Sequence, residues 1–78
     1  MNTMQKLRME RELHWKYLVR AYWDGMDEDN CEIVVRDLDT GWNVFDEEYD
    51  FTELFHRFCE AVEMFEKKYL REKNTEII

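Results

Sequence analysis

Apolar and aromatic residues recur at three- and four-residue spacing near the end of the chain: Phe51, Leu54, Phe55, Phe58, Val62, Phe65 and Tyr69. Only an α-helix gathers that spacing onto one face, and a stripe this apolar needs a second layer to cover it. Asp50 and Glu53 are spaced as a capping box at its start. Glu47, Glu48 and Asp50 lie towards the positive end of the helix dipole, and Lys67, Lys68 and Arg71 towards the negative end. Asn74 is the expected stop. A long C-terminal helix is therefore the element against which the rest of the chain must pack.

The remaining residues supply a small sheet. In "WKYLVRAYW", residues 15–23, the odd positions Trp15, Tyr17, Val19, Ala21 and Trp23 are apolar or aromatic, while Lys16 and Arg20 are even. That period of two predicts a strand, with a helix running on to Tyr22 as the competing reading. "CEIVVRDL", residues 31–38, predicts a second strand with Ile33 and Val35 on one face. Asp39, Thr40 and Gly41 predict a hairpin turn in which Gly41 takes a positive φ, and "WNVF" the returning strand. Residues 4–14, "MQKLRMERELH", are strong helix formers and predict a short first helix. The expected fold is a single α+β domain over residues 1–78: a short N-terminal helix, a small antiparallel meander and a long C-terminal helix packed on the sheet. The helix stripe is expected to meet Val19, Ile33, Val35 and Val44.

Charge is the second constraint. The chain carries a net charge of -8, but residues 24–53 hold twelve acids and Arg36 alone. The first 23 residues carry +3 and the last 25 are balanced. A basic face of the kind that binds nucleic acid is thus outweighed locally, and direct nucleic-acid binding is not expected. No apolar run approaches a membrane span and the start lacks the apolar centre of a signal peptide, so a cytoplasmic protein without membrane contact is expected. Cys31 and Cys59 are too few for a disulfide framework and are expected as buried small hydrophobes.

Chemistry-bearing motifs do not assemble. "DLDTG", residues 37–41, has the paired Asp of a phosphatase loop, but Gly41 stands where that loop needs Thr or Val, and no βαβ units follow. "DGMDEDNCEI" fails as a calcium loop in either frame, lacking the central Gly and the terminal Glu. His56 and Cys59 share a helix face without enough further ligands for zinc. No cofactor, no metal and no enzymatic activity are expected.

What remains is an acidic surface. Alternate side chains on a strand lie about 6.6 Å apart on one face, so a hairpin can present carboxylates at a spacing like that of phosphates. The expected partner-binding residues are Asp24, Asp27, Glu28, Asp29, Asp37, Asp39, Trp42, Asp46, Glu47, Glu48, Tyr49 and Asp50, with Tyr and Trp as interface anchors. The run "VRDLDTGWNVFDEEYDFTELFHRFCEAVEMFEKKY" resembles the hairpin-plus-helix portion of small phage-encoded anti-CRISPR inhibitors. The resemblance lies in an acidic turn ending in Gly (Asp37, Asp39, Gly41), an acidic approach to a helix (Asp46 to Asp50) and an aromatic-rich helix. Where those inhibitors carry a second acidic cluster, this chain has Lys67, Lys68 and Arg71. The resemblance implies a DNA mimic that blocks the basic nucleic-acid-binding site of a CRISPR nuclease, with Asp37 and Asp39 opposite the arginines that read DNA. The other reading is a small structural or regulatory adaptor that uses an aromatic face, such as Trp15 and Trp23, to bind a partner or to dimerise. The sequence leaves the oligomeric state open.

Overall fold

A computed structural model describes residues 7–25 and 31–77. Four strands, β1 (Leu7–Leu13), β2 (Tyr17–Trp23), β3 (Cys31–Asp37) and β4 (Asn43–Tyr49), precede one helix, α1 (Phe51–Ile77). The strands form an antiparallel meander in the order β1-β2-β3-β4. α1 lies across one face, chiefly over β2 and β3.

Period-two alternation places the core. Tyr17, Val19 and Ala21 of β2 and Cys31, Ile33 and Val35 of β3 all turn towards α1 and are buried. Leu54, Ala61 and Phe65 meet them from the helix, and Leu13 closes one side. Edge-to-face packing of Tyr17 on Phe65 (5.0 Å between centroids) and the contact of Trp23 with Phe51 (4.1 Å) tie the two layers at opposite ends. The Tyr17 hydroxyl, carried into the core on its ring, donates to Glu72 at 3.1 Å, which satisfies a polar atom that burial would otherwise leave unpaired.

Several expectations are corrected. Residues 7–13 form a strand, not a helix; residues 4–6 of the expected first helix lie outside the described residues. Full seven-residue pairing with β2, from Leu7↔Trp23 to Leu13↔Tyr17, outweighs the helix propensity of Met, Glu and Arg. The returning strand does not end at Phe45 but continues to Tyr49, so Asp46, Glu47 and Glu48 are strand residues. An irregularity beside Val35 and Arg36 sets Phe45, not Val44, opposite Val35, and Val44 is exposed. Phe55 falls off the buried face and is 68% exposed, while Ala61 takes its place under the helix. Asn74 does not stop α1, and Cys59 is exposed whereas Cys31 is buried.

The two hairpin turns that lie wholly within the described residues differ in strain. Leu38–Gly41 is a four-residue loop closed by Gly41 N–H to Asp37 O (2.8 Å) and Asp37 N–H to Trp42 O (2.8 Å), and Gly41 has the expected positive φ of 80°. The β1–β2 turn instead places His14 and Trp15 at φ of 55° and 60°. Histidine tolerates that region; a bulky tryptophan pays for its Cβ there. Trp15 is 81% exposed, so its ring recovers little by burial. Replacing it, Trp15→Gly, is expected to stabilise the domain by about 1 kcal/mol, read from the urea midpoint. An unchanged or lowered midpoint would show that the ring contributes contacts beyond those of an exposed tip.

Candidate functional site

One helix covers one face of the sheet, so the even-numbered side chains of the middle strands remain on the other. The register lays them out in rows: Arg8–Tyr22–Glu32–Glu48 and Glu10–Arg20–Val34–Asp46. On the β1–β2 side the charges are mixed. Arg20 Nε lies 3.0 Å from Glu10 Oε2, out of line for a hydrogen bond but close enough for charge pairing, and its Nη1 donates to Tyr22 Oη at 3.2 Å. On the β3–β4 side Arg36 is the base, and it donates to Asn43 Oδ1 at 3.5 Å rather than to an acid. Glu32 sits directly opposite Glu48, and Asp46 lies diagonally beside it. Among the described residues, no lysine or arginine bridges to any of the three.

Like charges directly across a strand pair are destabilising. The effect is visible at Glu32, whose carboxyl is held above its ordinary range, first by a hydrogen bond to Asp46, then by burial and the negative charges of Asp46 and Glu48. Glu32 was not among the expected site residues. Its signal was present in "CEIVVRDL": once Ile33 and Val35 point inward, Glu32 must point to the face that receives alternate residues of the acidic strand.

The expected turn aspartates behave differently. Lys16, on the neighbouring turn, reaches Asp39 Oδ2 at 2.9 Å and Asp37 Oδ2 at 3.3 Å. Its backbone carbonyl also accepts from Leu38 N–H at 2.7 Å, which locks the two turns together. The carboxylate of Asp39, then that of Asp37, holds the Lys16 ammonium well above the usual lysine range. Asp37 is only 15% exposed; burial alone would raise its pKa, but the Asp39 N–H (2.9 Å to Oδ1) and Lys16 outweigh it and lower it. Asp37 and Asp39 are thus engaged within the chain.

The other expected residues are dispersed. Glu47 falls on the helix side of β4, opposite Ile33. Asp50 occupies the N-cap position, where its carbonyl accepts from Glu53 N–H at 3.0 Å. The Glu53 carboxylate pairs with Arg57 at 2.8 Å. Arg57 also lies over the Tyr49 ring, 5.3 Å from its centroid, so that anchor is covered. Trp42 is 72% exposed beside the turn. Asp24 is half-buried after β2, and Asp27, Glu28 and Asp29 lie outside the described residues. Among the described residues no three His, Cys, Asp or Glu side chains converge as a metal site, and no helix is long and apolar enough to cross a membrane. No family model, curated protein or solved structure matches the chain.

Two stability measurements follow from these charges. Lys16→Met leaves Asp37 largely buried without its cation and is expected to cost about 1–3 kcal/mol at pH 7. Because Asp37 is depressed in the folded state, its stabilisation is present above its ordinary 3.8 and lost as pH falls through the lowered value. The variant should therefore show a shallower loss of stability below that pH than the wild type; an equal slope would show that Lys16 does not act through Asp37. Glu32 has the opposite sign. Its raised folded pKa means that stability falls as pH rises above its ordinary 4.5. Glu32→Gln is expected to raise the Tm at pH 7 and to remove the gain seen on acidifying towards pH 5, and a lowered Tm would contradict the clash.

Proposed function

We propose that the protein is an acidic inhibitor that docks in the cationic nucleic-acid-binding cleft of another protein and acts by competition, without chemistry of its own. The reading rests on one observation: Glu32, Asp46 and Glu48 are gathered on one sheet face, where the hydrogen bond to Asp46, burial and the neighbouring negative charges together raise the Glu32 carboxyl. A cluster of anions held at an energetic cost is relieved when a Lys- or Arg-lined surface covers it, and net charge of this size also speeds encounter.

The docking surface in this proposal is the β3–β4 half of the open face, with Trp42 at its upper edge. The acidic turn itself is spent on Lys16. The resemblance to phage-encoded anti-CRISPR inhibitors names the class of target: a CRISPR nuclease in the host cytosol, whose DNA-reading arginines would meet Asp46 and Glu48 rather than Asp37 and Asp39.

The test is displacement of labelled target DNA from a guide-loaded CRISPR nuclease, followed by fluorescence anisotropy. Wild type should displace DNA at micromolar concentration, with inhibition weakening steeply between low and physiological salt. Asp46→Asn with Glu48→Gln should weaken it about tenfold or more, and Asp39→Asn should change it little. Absence of displacement at low salt removes that nuclease as target. Displacement that ignores Asp46 and Glu48 removes the surface.

One observation favours the adaptor reading. Trp15 and Trp42, the most exposed large apolar side chains, sit on the two turns that Lys16 joins at one end of the sheet. Trp23, the other aromatic expected there, is packed on Phe51. An interface built on Trp15 and Trp42 would hold its affinity as salt rises, which separates it from the electrostatic reading.

A further inference from the structure

The sheet has two edge strands, and their charges differ in kind. β4 carries Asp46, Glu47 and Glu48, no base, and a break in its register with β3. Pairing β4 with a second copy would gather six carboxylates in two adjacent strands, which is how natural edges discourage association. β1 is uninterrupted over seven residues and carries both signs on its open face, Arg8 at one end and Glu10 and Glu12 beyond it. In an antiparallel self-pairing the basic end of one copy meets the acidic end of the other.

From this edge we infer that β1 pairs antiparallel with β1 of a second copy, joining two four-stranded sheets into one continuous sheet about a two-fold axis. Full overlap of the seven residues centres the axis on Glu10. Each Arg8, 64% exposed, then lies directly opposite Glu12 of the copy, twice per dimer. Glu10 meets its own counterpart on the axis, where each is accompanied by its own Arg20, 3.0 Å away. On the other face Met9 lies opposite Arg11 of the copy.

The helix flank above β1 fits the same arrangement. A groove of about 490 Å3 lined by Leu13, His14, Cys59, Val62 and Glu66 opens beside the strand, and helical spacing puts Phe55 one turn before Cys59 on the same flank of α1. Phe55 is the exposed member of the expected core stripe. In the dimer it overhangs the added strand, whose Met9 and Leu13 turn to the helix side. The surface is separate from the Glu32–Asp46–Glu48 cluster, which would lie at the two far ends of the joined sheet, so the two readings fail independently.

Sedimentation equilibrium from about 1 to 100 µM at physiological salt tests the pairing. Wild type should show a monomer–dimer equilibrium. Arg8→Glu should raise the dissociation constant about tenfold or more by facing Glu12 with a like charge, with unchanged far-UV circular dichroism. Adding Glu12→Arg should restore association, because the reversed pair attracts again. A monomeric wild type across the range overturns the inference, as does a dimer indifferent to Arg8→Glu or one that the double reversal fails to restore.

Discussion

A four-stranded sheet has two faces, and among the described residues one helix is there to cover them. That asymmetry decides where every charge can go. The buried face takes the β-branched and aromatic residues of β2 and β3 under Leu54, Ala61 and Phe65. The open face must carry the remainder, and its strands read as alternating apolar and charged for that reason. A domain of this size has little hydrophobic stabilisation in excess. The burial of Val19, Ile33, Val35 and Leu54, each essentially inaccessible, therefore supports every other feature, including the unfavourable ones.

Lys16 is the second organising residue. One side chain answers two carboxylates and one backbone carbonyl binds the neighbouring turn, so the two hairpins move as a unit. His14, one residue earlier, stacks on Tyr69 with parallel rings 4.2 Å apart and bonds Glu66 at 2.6 Å. The same turn is thereby tied to the far half of α1. These contacts hold His14 and Trp15 in the left-handed region despite the cost, since a strained turn persists only where its surroundings over-determine it.

Much of this was legible in the residues, and the failures share a cause. The helix stripe, the β2 and β3 alternation and the Gly41 turn rest on local periodicity and came through. Residues 7–13 did not, because their composition favours a helix and only the pairing partner, β2, decides otherwise. Phe55 fits a helical stripe by spacing alone; which part of the stripe is buried depends on the angle at which α1 meets the sheet. The surroundings of the acidic residues were out of reach for a related reason. Counting acids along the chain picked out Asp37 and Asp39, both of which a lysine 21 and 23 residues earlier engages. It missed Glu32, whose neighbours are set by register rather than sequence.

The places where local rules are broken are the informative ones. Glu32 opposite Glu48, with Asp46 beside them, sets like charges across a strand pair, an arrangement that disfavours folding. Arg20 and Arg36 stand on the same face, and a single substitution to lysine or arginine on β4 would give the cluster a cation of its own. The chain instead spends its cations elsewhere: Lys16 on the turn, Arg57 on Glu53 and Glu60, Lys68 on Glu72. On this face Arg20 faces Glu10 and Arg36 donates to Asn43, so neither bridges the cluster within the monomer. A surface that gains from meeting positive charge is the physical basis for proposing this face, rather than the acidic turn, as the docking surface.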